Sequence, residues 1–373
     1  MIFTKNERKI HYMGAILEYK CPCCSGPLQF DTDAQKMKCP YCDNEFDAET
    51  LKSNDDILKE EKPDMMDWSS QPGNEWMQGE LEGQKVYLCN SCGGQIVCDD
   101  TTGATDCPYC GSPVVMVGQF AGDKRPDIII PFKLDKEAAK NGFKQHLCKK
   151  RLLPKAFRTD SYIDDIKGVY VPFWLYDAHA DAQAYFHGTK VKSWSDDKYN
   201  YTKTSHYRLY RNGSMDYERV PVDGSSKIAD DLMESLEPFT ADGEVAFQTA
   251  YLSGYIADKY DVDSNESNGR ANERIKKSTL DRLTSTTTDF TSVTTESSSV
   301  QLDNGTVKYA LYPVWLLTAK WNGDIYNFAM NGQTGKFVGN LPMDKGAYWR
   351  WTGLIALIAT VAALAVSAFV LLN

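Results

Sequence analysis

The residues in this sequence that can do chemistry are its eleven cysteines, most of which fall in pairs. Cys21-Pro-Cys23-Cys24 is followed by Cys39-Pro-Tyr-Cys42, and Cys89-Asn-Ser-Cys92 by Cys107-Pro-Tyr-Cys110. Each group reads C-x2-C, then 14 residues, then C-P-Y-C. That gap is about one residue shorter than the usual range for four-cysteine zinc sites. Zinc takes four thiolates in a tetrahedron, and a C-x2-C knuckle presents two of them from one tight turn. The intervening residues are long enough for a hairpin that returns the second pair to the first. Two structural zinc ions are therefore expected. Cys21, Cys24, Cys39 and Cys42 would hold one, and Cys89, Cys92, Cys107 and Cys110 the other. Four protein ligands leave no open position, so neither ion would be catalytic. The metal would replace a core that so short a unit cannot build. Gly26 and Gly94, two residues past the first pair of each group, are expected to take positive φ in the knuckle turn.

Alignment of the two copies places Cys23 opposite Ser91 and Cys98 opposite Phe30. Cys98 then reads as a small apolar strand residue, and Cys148 as a packed helix residue. A disulfide framework is the competing reading, and a reducing cytoplasm argues against it. Asp177, His179 and Asp181 share one strand face and could form a metal or acid–base cluster. The solvent side of an amphipathic strand is the simpler account. His11, His146, His187 and His206 show no triad spacing. There is no G-x-x-x-x-G-K-[ST] loop and no G-x-S-x-G elbow. No enzyme activity and no small-molecule substrate are expected.

The elements around these residues read as α+β. The expected organisation is a lead-in (1–20), zinc ribbon one (21–48), an acidic linker (49–86) and zinc ribbon two (87–118). A mainly antiparallel β domain with a few helices (126–345) and a transmembrane helix (351–372) complete it. In the linker Met65, Met66, Trp68 and Trp76 suggest that part of it docks on a neighbouring surface. From Pro172 to Phe186 the alternation is nearly strict, with Trp174, Tyr176, Ala178, Ala180, Ala182, Ala184 and Phe186 on one face. Asn212-Gly213, Asn304-Gly305, Asn322-Gly323 and Asn331-Gly332 are expected as hairpin turns. Helices are expected over 135–152, with Asp135 as N-cap, over 228–236 and over 271–283. The Ser/Thr-rich stretch 278–299 is expected as strand.

From Thr352 to Leu372 there are 21 residues without a charge. As a helix they span about 31 Å, the thickness of a bilayer's hydrocarbon core. Tyr348, Trp349 and Trp351 stand where an interfacial belt belongs, and Lys345 and Arg350 lie on the same side. The expected location is the cell membrane, single-pass, with the bulk of the protein cytoplasmic. The run Lys144, Lys149, Lys150, Arg151, Lys155 and Arg158 could meet anionic headgroups or an acidic partner.

Net charge is −10, which disfavours long-range attraction to nucleic acid. Between Cys89 and Cys110 there is no Lys or Arg, the wrong charge for phosphate contact.

Beyond the ribbons, four segments carry a resemblance. They are Lys167-Gly-Val-Tyr-Val-Pro-Phe-Trp174, Pro221-Val-Asp-Gly-Ser225, Asp258-Lys-Tyr-Asp-Val262 and Ala329-Met-Asn-Gly-Gln-Thr-Gly-Lys336. With the ribbons and the apolar segment, the chain resembles the bacterial TFIIB-type zinc-ribbon-containing membrane proteins of the YdjG type. The resemblance implies a protein at the cytoplasmic face that recruits an SPFH-domain (flotillin-like) partner, alongside a phage-shock-type envelope-stress system. The expected function is a membrane-anchored zinc-ribbon adaptor that docks protein partners. A nucleic-acid-binding zinc-ribbon regulator is the alternative, and an enzyme of the β domain the third reading.

Overall fold

The computed structural model describes residues 21, 26–47, 68, 72–77, 79–99, 106–119, 124–148, 150–154, 157, 165–339 and 342–372. The expected lead-in, Cys23, Cys24, much of the acidic linker, Met65, Met66, His11, Lys149, Lys155 and Arg158 lie outside the described residues. Two compact units emerge. One takes its residues from 1–66, 179–216 and 275–303, the other from 67–178, 217–274 and 304–373.

The first unit holds ribbon one as a three-stranded sheet of β1 (Gln29–Asp31), β2 (Lys36–Lys38) and β3 (Glu45–Phe46). Its register is antiparallel throughout, with Phe30 opposite Met37 and Met37 opposite Phe46. The turn after β1 is closed by Asp31, whose Oδ1 accepts the N–H groups of Asp33 and Ala34.

The remaining strands are β4 (Gln84–Leu88), β5 (Gln95–Asp99), β6 (Val115–Gln119), β7 (Ile128–Ile129), β8 (Lys167–Ser195), β9 (Asn200–Asp223), β10 (Val245–Ala246), β11 (Ile256–Asp258), β12 (Ser292–Trp321), β13 (Asp324–Asn331) and β14 (Phe337–Gly339). They form one mostly antiparallel sheet in the order β10-β7-β12-β8-β11-β5-β4-β6. β9 adds to β8, β13 to β12, and β14 to β13. β7–β12 and β8–β11 are parallel pairs, with Ala310 opposite Ile128 and Ile256 opposite Val169. The sequence reading separated ribbon two from the β domain. The structure instead runs the ribbon's strands into the same sheet, where Ala257 and Asp258 of β11 pair with Val97 and Ile96 of β5.

β8 explains why one strand has two sequence textures. Over Val169–Leu175 both faces are buried, with Val169, Val171, Phe173 and Leu175 in one core and Tyr170, Trp174 and Tyr176 in the other. A strand covered on both faces reads as a continuous apolar run. Past Asp177 one face meets solvent, and the alternation becomes visible. Each large side chain buried here contributes about 1.5–3 kcal/mol.

Helix α1 (Lys136–Cys148) starts where expected, with Asp135 Oδ1 accepting the Ala138 N–H at 2.7 Å. Ala139, Phe143 and Leu147 recur every fourth residue and pack with Trp315, Leu317 and Phe328. Cys148, expected as packed, is exposed, because it lies one residue past the buried stripe and so turns away from it. Helix α2 (Asp230–Ser235) falls inside its expected range. Helix α3 (Ser264–Ser285) begins seven residues earlier than expected, where Asp263 Oδ1 caps the Glu266 N–H. The Ser/Thr-rich stretch therefore divides. Its first part ends α3, where Thr279 and Thr284 bond carbonyls one turn back, and only its last part joins β12.

Of the four Asn-Gly pairs, Asn322-Gly323 is the hairpin turn, with φ of 52° and 91° between β12 and β13. Asn331-Gly332 ends β13 in a turn. Asn212-Gly213 and Asn304-Gly305 make no turn but lie inside β9 and β12, with Asn304 at φ 53°. Trp68 and Trp76 do dock, edge-on to Tyr176 and Phe247 respectively.

Helix α4 (Lys345–Leu372) is long and apolar enough to cross a membrane, and its side chains from Thr352 to Ser367 are exposed. It begins before the uncharged segment, capped by Asp344, whose Oδ1 accepts the Ala347 N–H. Arg151 lies 4.8 Å from the Trp351 ring centre, a cation–π contact beside the base of this helix.

Candidate metal centres

In ribbon two, the two knuckles share one backbone design. The N–H of Cys89 donates to the carbonyl of Gly94, and the N–H of Gly93 to that of Cys89. Cys107 and Ser112, and Gly111 and Cys107, repeat those two bonds. The residue needing positive φ is the one directly after the second cysteine, Gly93 at 72° and Gly111 at 62°. The expectation for Gly94 and Gly26 is thus off by one position; their carbonyls instead accept the knuckle's first N–H. In ribbon one Asp43 takes the positive-φ place at 55°, and the Cys39 N–H donates to Asn44.

These turns bring the sulfurs together. Cys89 and Cys110 Sγ are 3.5 Å apart, and Cys92 and Cys107 Sγ 3.6 Å. All four ligand atoms of ribbon two lie within 4.8 Å of one another. A tetrahedron with metal–sulfur bonds of about 2.3 Å has edges of about 3.8 Å. The cluster is sized for one ion, and its sulfurs are too far apart for disulfides. In ribbon one Cys21, Cys39 and Cys42 meet the same limit, with Cys21 and Cys42 Sγ at 3.5 Å. Cys24, the expected fourth ligand, lies outside the described residues. Asn44 Nδ2 reaches Cys42 Sγ at 3.4 Å, the outer contact that steadies a thiolate.

Burial raises the Cys107 and Cys92 thiols. Burial also works against ionising Cys110, yet bonds from the Ser112 hydroxyl and N–H outweigh it and bring that thiol to about 7. A bound cation would favour the thiolate form of all four. Cys98 is buried in β5 within the same core, as its alignment with Phe30 suggested for an apolar strand position.

Around ribbon two, the segments that carry the family resemblance form joints. Lys167 Nζ donates to the Asp106 carbonyl. Thr318 Oγ1 donates to the Pro108 carbonyl. The Gly224 N–H bonds Pro172, and the Gly224 carbonyl accepts from Asp261 and Val262. The Ser225 hydroxyl donates to Asp258 Oδ2 at 2.6 Å. Asn331 Nδ2 ties β13 to the carbonyls of Leu236 and Pro238. Asp258 and Tyr109 are both buried, and burial lifts the Asp258 carboxyl to about 7 despite the hydroxyls of Ser225 and Tyr109 beside it. This joint escaped the sequence reading; the signal was the pairing of acids with Gly and Ser in segments that have no other polar reason to be apolar-flanked.

On the Asp177, His179 and Asp181 face, Asp177 and His179 take separate partners. Asp177 accepts the Arg219 N–H and the Thr306 hydroxyl. His179 Nδ1 sits 2.5 Å from Asp216, while Asp181 is 3.7 Å from Nε2. The Asp216 hydrogen bond raises the His179 pKa.

The chain thus defines a class: an α+β protein with cysteine clusters able to hold metal ions and one helix able to span a membrane. A Bacillus subtilis (strain 168) protein described as uncharacterized protein YdjG is 32% identical to it over 342 residues, 91% of this chain and 94% of that one. The chain belongs to the YdjG family. No protein-family model matches the chain, and no solved structure matches it.

Proposed function

We propose that this protein is a membrane-anchored adaptor, with two structural zinc ions, that docks protein partners at the cytoplasmic face of the cell membrane. The supporting observation is α4: from Thr352 to Ser367 its side chains are exposed, with none of the described residues covering them. Lys345, Arg350 and Arg151 gather at its N-terminal end, which favours that side as cytoplasmic. Closed thiolate clusters favour zinc and stiffen their modules without offering an open position for catalysis. Tethering to a membrane raises the effective concentration of a membrane-bound partner. The family resemblance points to an SPFH-type partner and an envelope-stress setting.

Fractionation and pull-down test this. The chain should leave membranes only with detergent, and metal analysis should find about two zinc ions per chain. A protein partner should be recovered from solubilised membranes and lost with Cys39→Ser. Recovery in the soluble fraction, or a partner set indifferent to both ribbons, would sink the proposal.

A further inference from the structure

Within the first unit, the outer end of the β8–β9 hairpin combines a free strand edge with an exposed basic and aromatic face. Among the described residues β9 pairs only with β8, so at its outer end, over residues 200–203, no second strand takes the far-edge N–H and C=O groups. Across the hairpin Ser193 bonds Thr202, and Trp194 stacks on Tyr201 at 5.5 Å. That register sets Lys192 opposite Lys203, on the same side as Trp194 and Tyr201. Lys190 follows on that side and lies 4.6 Å from the Phe290 ring centre. Trp194 is 48% exposed and Tyr201 39%.

Two like charges directly opposite one another destabilise a strand pair unless an anion comes between them. Lysines on an edge also repel neutral or basic strands, the usual defence against aggregation. An acidic strand turns the same charges into attraction. The stacked aromatics supply the kind of rigid apolar contact on which interfaces centre.

We infer that this end of the hairpin docks an extended acidic segment of a partner protein, which adds as a strand to the β9 edge while its carboxylates meet Lys192 and Lys203. The inference rests on the adaptor reading for the class of ligand, a protein. Strand addition needs a peptide backbone, which favours protein over nucleic acid.

The test uses the full chain in detergent and a fluorescent peptide of six Glu-Val repeats. Saturable binding that weakens with salt is expected. Lys192→Glu/Lys203→Glu should weaken it about tenfold, and Lys192→Arg/Lys203→Arg should restore it. Proline at alternate positions of the peptide should abolish binding, because it removes the main-chain donors. Unchanged circular dichroism of the variants would show that the fold is kept. Absence of binding, equal binding of a Lys-Val peptide, or tighter binding of a single-stranded oligonucleotide through the same lysines would each overturn the inference. Peptide binding in a chain that recovers no ribbon-dependent partner would sink the adaptor reading and leave this surface standing.

Discussion

Tyr41 and Tyr109 occupy the same place in two C-P-Y-C knuckles, yet Tyr41 is 73% exposed and Tyr109 only 3%. The strand position between the knuckles diverges in the same way, with Phe30 at 51% and its counterpart Cys98 at 1%. Ribbon one pairs only within its own three strands among the described residues. Ribbon two continues through β5 into β11 and shares a core with Val169, Phe173 and Tyr312. The same ligand spacing therefore serves two ends. In ribbon one a metal would stand in for a core. In ribbon two it would lock a corner of a core already present, and its loss would be felt by the sheet.

The largest effect should come from the metal ligands. A structural zinc site contributes about 10 kcal/mol or more of apparent binding energy to its fold. Cys107→Ser or a strong chelator should therefore unfold the β-rich unit around ribbon two. Cys39→Ser should leave the main thermal transition in place and remove only its metal ion and a small local signal. Calorimetry on the two variants checks this; equal loss of the main transition in both would break the comparison.

Next in size is the Tyr109 pocket. Tyr109→Ala should cost about 3–5 kcal/mol, since it empties a buried aromatic site, whereas Tyr41→Ala should fall within about 0.5 kcal/mol of the parent. Denaturant midpoints measure both. Asp258 sharpens the point through pH. Burial lifts its folded pKa to about 7, well above the ordinary aspartate range, so the folded state holds the proton more tightly than the unfolded one. Stability from this group is complete below about pH 4 and is lost as pH rises to about 7, by up to about 4 kcal/mol. Asp258→Asn should remove that fall while keeping an acceptor for Ser225. The wild-type-minus-variant difference isolates it from metal loss, which is common to both chains. A difference independent of pH would show that Asp258 is not held in the uncharged form.

Much of this was legible in the sequence. Cysteine spacing marked the clusters because a tetrahedron fixes ligand number and a knuckle fixes their separation. The amphipathic stripe of α1 and the uncharged length of α4 were visible for equally local reasons. What could not be read was long-range pairing. Nothing near Gln95 tells that its strand will meet β11, more than 150 residues on, so a boundary was drawn where the sheet is continuous. Asn212-Gly213 and Asn304-Gly305 failed similarly. The pair permits a tight turn, but β9 and β12 run on as strands of the sheet through these positions, and pairing with their neighbours overrode the local preference. Lys167, Gly224 and Asp258 could be seen as motif residues, while their role as joints required the chain partners that only the fold supplies.

The smallest of the expected effects compares Phe30 with Cys98. Exchanging the two side chains between ribbons should be asymmetric. Cys98→Phe forces a large ring into a filled core beside Ile96 and Tyr109, and overpacking of this kind costs about 1–3 kcal/mol. Phe30→Cys removes a half-exposed ring from a strand with little to lose, so its cost should stay below about 1 kcal/mol. Zinc content should be unchanged in both, because neither side chain belongs to a ligand cluster. Chemical denaturation with parallel metal analysis gives the two numbers. Equal costs would mean that ribbon one is packed against something as firmly as ribbon two, and that the contrast between a free module and a built-in one is false. A larger cost for Phe30→Cys would go further and place the buried ribbon at the other end of the chain.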